Sequence, residues 1–222
     1  MTSTGNDIVA LKAIDIARTK QYRFYTKILS PTEKDLYDRE LQGKIPFENF
    51  VWLLWSIKES AYKYLQRITP DLVFSPTKTV IEKMALPEQL LSKKFQTQTE
   101  GRGLYDDDVY KGIVTCGTYK LYYRSIINED LIFSVVNCED DFENTCWGIQ
   151  MIPSNEPAFQ SKAVREFLSA RLNGLFPGDN LQISKSVHGY PILLRNGAKI
   201  RIPVSLAHHD HFVAYAFQLN TN

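Results

Sequence analysis

Across residues 109–116, 119–126, 131–136 and 146–152 the chain passes through four stretches rich in β-branched and aromatic residues, separated by turn-forming or charged ones. Closely spaced runs of this kind predict an antiparallel sheet. Helical patterns lie on both sides of it. Ser30, Pro31 and Glu33 fit an N-cap, a first and a third helical position, where serine and glutamate satisfy each other's backbone N–H groups. Pro46 at another first helical position, with Glu48 in the first turn, starts a longer helix. In it Leu54, Ile57, Ala61 and Leu65 recur at steps of three and four, an apolar face that must pack on something. Downstream, Ala163, Phe167, Leu168 and Leu172 support a helix over about 160–172, with Gly174 as its stop. A short strand over 7–11 opens the chain, Asn196-Gly197 marks a hairpin, and a last strand runs through 202–217. The fold class is α+β.

The stretch 86–103 is polar and irregular, ending Gln96-Thr97-Gln98-Thr99-Glu100-Gly101-Arg102-Gly103, and reads as a connector. It divides the chain into subdomains 1–103 and 104–222. A chain of 222 residues is long enough for two small subdomains sharing an interface. Its 26 basic residues nearly cancel 25 acidic ones, which argues against a dedicated nucleic-acid binder. No apolar run reaches membrane-spanning length and residues 1–6 do not make a secretory signal, so the expected address is the cytoplasm. Cys116, Cys138 and Cys146 are odd in number and lack a C-x-x-C spacing, and read as reduced, mostly buried thiols.

The chemistry-bearing residues cluster in three places. Along the Pro46 helix, Trp55, Glu59 and Lys63 form a stripe separate from the apolar face. Glu59 and Lys63 alone make an ordinary i,i+4 surface pair worth about 0.3–0.5 kcal/mol. With Asp7 converging from the first strand, the two carboxylates have the makings of a Mg²⁺ site, since that ion takes few protein oxygens plus water and substrate phosphate. The run His208-His209-Asp210-His211 suggests a metal, but strand alternation puts His208 and Asp210 on one face and His209 and His211 on the other. A regular strand cannot aim all four at one ion, and a single histidine contacting a phosphate is the simpler reading. Lys12, Arg18, Lys20, Arg23 and Lys27 form an early basic cluster, either a solvated face or a patch for acidic groups. The acidic run Asp106, Asp107 and Asp108 lacks the glycine and terminal glutamate of a calcium loop and reads as a solvated loop.

Taken together, these residues resemble the 4'-phosphopantetheinyl transferase superfamily. Gly5, Asp7, Ile8 and Val9 are similar to its G-x-D-I-V strand, and Phe24, Lys27, Leu29, Ser30 and Glu33 to its F-x-x-R-x-L-S-x-x-E approach. Trp55, Lys58, Glu59, Ser60 and Lys63 match its W-x-x-K-E-[AS]-x-x-K signature in full. Near the end, Gly189, Pro191, Ser205, Leu206 and His208 resemble G-K-P followed by S-[IL]-S-H. The chain departs from the pattern at Lys27 (usually arginine), Val9 (a carboxylate in larger members), Tyr190 (the lysine of G-K-P) and Ala207 (the serine before the histidine).

The resemblance implies transfer of phosphopantetheine from coenzyme A to a serine of an acyl or peptidyl carrier protein, with release of adenosine 3',5'-bisphosphate, as in a holo-[acyl-carrier-protein] synthase of fatty acid biosynthesis. It implies Asp7 and Glu59 as Mg²⁺ ligands, Glu59 and Lys63 as catalytic groups, and His208 and Lys58 as coenzyme A contacts. The K-E half here precedes the S-H half, the reverse of the long class. Either a short-class core carries a large insertion, or two similar α+β subdomains form a pseudodimer with its halves exchanged, each a small antiparallel sheet packed with helices. The second is favoured, which predicts a monomer with its active site in the cleft between the subdomains. Two rival readings are a non-catalytic module of the same fold, flagged by Tyr190 and Ala207, and a His-cluster metallohydrolase. Neither nucleic acid nor membrane is expected as a partner.

Overall fold

The computed structural model describes residues 3–88, 94–104 and 109–219. In chain order the elements are β1 (Gly5–Ala10), α1 (Ile16–Thr19), α2 (Tyr22–Tyr25), α3 (Pro31–Leu36), α4 (Phe47–Gln66), β2 (Thr79–Ala85), β3 (Gln98–Arg102), β4 (Tyr110–Cys116), β5 (Tyr119–Ile127), β6 (Leu131–Asn137) and β7 (Thr145–Met151). They are followed by α5 (Pro157–Leu175), β8 (Leu181–Lys185), β9 (Pro191–Arg195), β10 (Ala198–Lys199), β11 (Val204–His209) and β12 (Phe212–Gln218). Helices and antiparallel sheets mix as the α+β reading expects.

Among the described residues the strands form three sheets, ordered β1-β6-β5-β4-β2, β11-β12-β7-β3 and β10-β9-β8. The four β-rich runs therefore do not make one sheet: β4, β5 and β6 are neighbours, whereas β7 pairs with β12 and β3. Strands from before and after residue 103 share both larger sheets, since β1 pairs β6, β2 pairs β4 and β3 pairs β7. Part of the expected connector is thus strand β3, an exposed polar edge whose side chains carry no hydrophobic signal. The last strand is in fact two, β11 and β12, joined through Asp210, which turns the chain at φ 51°. Asn196 and Gly197, with φ of 52° and 80°, close the β9–β10 hairpin as their sequence predicts.

Helix α3 begins with the predicted reciprocal cap between Ser30 and Glu33. In α4 Pro46 is the N-cap, not the first helical residue. Leu54, Ile57, Ala61 and Leu65 are all buried, in a core that also takes Val9, Ile132 and Val136 from β1 and β6. What lets α4 lie so close to β1 is Gly5. A Cβ there would fall 1.9 Å from the Ser60 carbonyl oxygen, so any other residue would push strand and helix apart. Ser60 also ties α4 to β6, the strand beside β1, its hydroxyl shared between the carbonyls of Ser56 and Ser134. Helix α5 packs on the second large sheet, with Phe167 edge-on to Tyr215 of β12. The cysteines are free thiols, Cys146 buried and Cys116 and Cys138 half-buried. Asp106, Asp107 and Asp108 lie outside the described residues.

Candidate active site

The close approach of β1 and α4 sets Asp7 opposite Glu59 and Lys63. Lys63 Nζ donates to Asp7 Oδ1 at 3.0 Å and to the Asn6 carbonyl at 3.1 Å, and lies 3.3 Å from Glu59 Oε1. The ammonium thus bridges both carboxylates. Asp7 is only 4% exposed, and its Oδ2 is buried with no partner. Burial raises the Asp7 carboxyl to about 7; the Lys63 charge pulls it back and Glu59 pushes it further up. Burial also works against the Lys63 ammonium, but Asp7 and Glu59 outweigh it and hold that group above the ordinary lysine value.

The opposite edge of β1 meets β11 through side chains. Asn6 N–H donates to Ser205 Oγ at 3.0 Å, and Ala10 N–H donates to His209 Nδ1 at 2.9 Å. Ser205, Ala207 and His209 share one face of β11, so this seam turns His208 the other way. His208 is exposed and within electrostatic reach of Lys63 and Glu59. Partial burial and then the Lys63 charge lower its pKa, with Glu59 opposing and His209 and Arg165 adding to the fall. At neutral pH it is an uncharged imidazole able to donate one hydrogen bond. Asp7, Glu59 and Lys63, expected from a strand and a helix, are in contact, and His208, expected from the final strand, lies within electrostatic reach of Glu59 and Lys63.

Lys58 is not part of this group. Its side chain is fully buried, and Nζ donates to Glu33 Oε2 and to the Ile28 carbonyl, both at 2.7 Å. Glu33 also accepts from the backbone N–H groups of Ser30 and Ile81. Burial lowers the Lys58 pKa, with Glu33 resisting. Adjacent residues on a helix point about 100° apart, so Lys58 faces the core when Glu59 faces the site. The expectation of a coenzyme A contact at Lys58 gives way to a buried ion pair joining α4, α3 and β2.

The donor set suits magnesium. Two carboxylates, one with an unpartnered buried oxygen, leave the remaining positions to water and substrate oxygens, as that ion prefers. Among the described residues no group of three or more His, Cys, Asp or Glu is arranged to hold a metal. The zinc reading of 208–211 finds its ligands engaged elsewhere, His209 on Ala10 and His211 Nδ1 against the Ile152 carbonyl.

Residues 3–104, which carry most of this geometry, match the family model of the 4'-phosphopantetheinyl transferase superfamily. No curated protein and no solved structure matches the chain. The matched segment contains β1, α3 and α4, and so Asp7, Glu59, Lys63 and the Glu33–Lys58 pair; His208 and β11 come from beyond it. Among the described residues no helix is long and apolar enough to cross a membrane.

The seam carries a testable pH dependence. His209 accepts the Ala10 N–H only when neutral, and burial lowers its pKa, with Asp210 and Glu59 opposing. A base with a lowered folded pKa contributes stability above its unfolded value near 6.5, and loses it as pH falls through the folded value. His209→Asn keeps an acceptor near the Nδ1 position and cannot titrate. Thermal melts from pH 8 to pH 5 should show the wild type losing more stability on acidification than this variant. Parallel curves would refute the role of the seam.

Proposed function

We propose that the chain transfers the 4'-phosphopantetheine arm of coenzyme A to a serine hydroxyl of an acyl or peptidyl carrier protein, in a magnesium-dependent reaction of the holo-[acyl-carrier-protein] synthase type. The observation that carries this reading is the junction of Asp7, Glu59 and Lys63 within the transferase-family domain, with His208 arriving from a separate sheet. The serine oxygen attacks the phosphorus that bears the pantetheine arm. A new P–O bond forms there, the bond to the nucleotide phosphate breaks, and adenosine 3',5'-bisphosphate leaves. Glu59, directly or through one water, takes the serine proton. Lys63, already within reach of both carboxylates, neutralises an oxygen of the pyrophosphate as the bond breaks. His208 donates to a coenzyme A phosphate. A magnesium ion held by Asp7 and Glu59 would supply further positive charge against the pyrophosphate.

The fold supports a pseudodimeric reading in which each larger sheet carries one long helix, α4 or α5, and one chain makes one site without a second copy. For the carrier we infer a docking face on α1 and α2. Arg18, Arg23 and Lys27 are exposed there beside Ile16 and Tyr22, which are 47% and 72% exposed. Lys12 and Lys20 of the same cluster are paired with Asp130 and Glu48. Cations flanking apolar side chains suit the acidic helices of a carrier protein, electrostatics speeding encounter more than fixing affinity.

The test is incubation with coenzyme A, Mg²⁺ and an apo-carrier protein, read by mass spectrometry. The expected result is a carrier heavier by one phosphopantetheine, with adenosine 3',5'-bisphosphate formed in equal amount. A carrier left unchanged across fatty-acid, polyketide and peptide types would favour the non-catalytic module.

A further inference from the structure

The two larger sheets differ at their outer edges. Counted outward from the seam of β1 with β11, the first runs through β6, β5 and β4 and ends on β2, where Ile81 reaches the core under α4. The second runs through β12 and β7 and stops one strand earlier, so that among the described residues β3 pairs only with β7. The ladder decides which backbone groups of β3 are spare. Gly103 N–H donates to the Thr145 carbonyl and the Thr97 carbonyl accepts from Met151, so by antiparallel alternation Thr97, Thr99, Gly101 and Gly103 bond to β7. The N–H and C=O groups of Gln98, Glu100 and Arg102 point outward.

Beside this edge lies a cavity of about 540 Å³ walled by α5. Ala163, Phe167, Ala170 and Gly174 follow at steps of four and three, a helix face whose small residues leave room over Gln98 and Glu100. The two ends of the cavity differ. At the Gln98 end it is apolar, with Met151 43% and Phe159 40% exposed. At the other end Arg102 stands opposite Cys146; burial raises that thiol's pKa, and the charges of Arg171 and Arg102 both pull against it, so two guanidiniums meet there. Arg102 already donates to the Glu143 carbonyl and to Asn144 Oδ1. Arg171 has its Nε buried without an acceptor, and among the described residues no carboxylate pairs with it. The acids that line the cavity are engaged, Glu100 accepting from the Tyr215 hydroxyl and Glu166 facing Lys162 at 3.7 Å. A guanidinium so placed suits a carboxylate brought from outside.

We propose that β3 and α5 form a docking groove for an extended peptide, which adds to the outer edge of β3 as an antiparallel strand and sets an acidic side chain on Arg171 and an apolar one against Met151 and Phe159. Spare backbone groups beside a helix-walled groove are what strand addition uses, the main chain giving affinity and alternate side chains giving selectivity. Gln98 and Arg102 are four residues, about 13 Å, apart, so the two anchors of the peptide are four residues apart on one face. Antiparallel addition continues the pattern of the sheet and is the more stable pairing, and it puts the acidic residue before the apolar one. The added strand takes the place beside β3 that β2 holds beside β4, with its apolar residue under α5 as Ile81 is under α4. The groove shares no residue with Asp7, Glu59 and Lys63, and its occupancy does not depend on transfer.

Fluorescence anisotropy of the whole chain with a labelled peptide, Ser-Glu-Thr-Thr-Thr-Phe-Ser, tests this. Its controls are the reversed sequence and the same peptide N-methylated at every threonine. The first peptide should bind with Kd below about 1 mM and at least about 5-fold more tightly than either control, and it should slow amide hydrogen exchange at Gln98, Glu100 and Arg102. Arg171→Gln should weaken binding about 10-fold, the loss of a charge-assisted bond. Gln98→Pro should weaken it about 3- to 10-fold, since it removes one outward N–H and leaves the β7 ladder in place. Ala170→Trp, at an exposed position of α5, should abolish binding by filling the groove, and it decides alone if Arg171→Gln fails to fold by circular dichroism. A wild type that does not bind, controls that bind equally, or undiminished binding by Ala170→Trp overturns the proposal. A concentration-dependent dimer in sedimentation, broken by Gln98→Pro, would assign the edge to a second copy and overturn the peptide reading.

Discussion

Lys58→Ala is expected to unfold the protein at temperatures where the wild type is intact, costing about 3–5 kcal/mol. The substitution strands the Glu33 carboxylate, only 1% exposed, among the Ser30 and Ile81 N–H groups with no counter-ion. The pair itself need not be a net source of stability. Burial already presses Lys58 toward its neutral form, which is how a costly buried charge behaves. Its value is geometric: with Lys58 tied to α3 and β2, helix α4 cannot rotate, and Glu59 and Lys63 stay aimed at β1. Replacing both partners, Lys58→Met with Glu33→Gln, should therefore restore part of the stability, because no unpaired charge remains, while the single amide oxygen accepts from only one of the Ser30 and Ile81 N–H groups. Denaturant unfolding of the two single variants and the double gives the coupling energy. A single Lys58→Ala variant within about 1 kcal/mol of the wild type would show that the pair does not hold the helix in place.

The same residue shows where sequence reasoning succeeds and where it stops. A motif such as Trp55-x-x-Lys58-Glu59-Ser60-x-x-Lys63 states which side chains go together but not which way each points. The motif groups Lys58 with the phosphate-facing residues, and only its distance to Glu33 reveals the inward turn. Ser30 and Glu33 were legible as a helix cap because capping is local, three residues apart. That Glu33 also serves Lys58 and Ile81 is a contact across 25 and 48 residues, beyond any local pattern. Strands β4 to β7 were visible in outline because their runs are hydrophobic. Strand β3 was not, since Gln98, Thr99 and Glu100 form a polar edge paired on one side only. Neither is the sheet to which a strand belongs written in its own residues. The pairing of Asp7 with Glu59 is a possibility the two carboxylates raise, and the family resemblance adds His208; the physical means, Gly5 against Ser60 and the Ser205–His209 seam, emerges only in three dimensions.

Asp7→Asn should do two opposite things, and their combination is diagnostic of a site that trades stability for chemistry. Burial raises the Asp7 carboxyl from 3.8 to about 7. An acid whose folded pKa exceeds its unfolded value binds its proton more tightly when folded, so stability falls as pH rises from about 4 to 7. A shift of three units corresponds to about 4 kcal/mol as an upper bound. That shift is already net of the Lys63 attraction; the asparagine removes it and leaves an amide beside Lys63, which keeps Glu59, so the net gain at pH 8 should be about 1–3 kcal/mol. The gain should shrink as pH falls and vanish below about pH 3, where the wild-type carboxyl is mostly neutral in both states. Phosphopantetheine transfer at pH 8 should drop by at least about 100-fold, because the amide carries no charge to hold a divalent ion against the pyrophosphate. Addition of Mg²⁺ or Mn²⁺ should raise the melting temperature of the wild type and not of Asp7→Asn, since an ion that binds only the folded state stabilises it by mass action. Melting curves across pH, with and without metal, read all of this except the transfer rate. A variant that melts below the wild type at pH 8, or one that responds to metal as the wild type does, would remove Asp7 from the site.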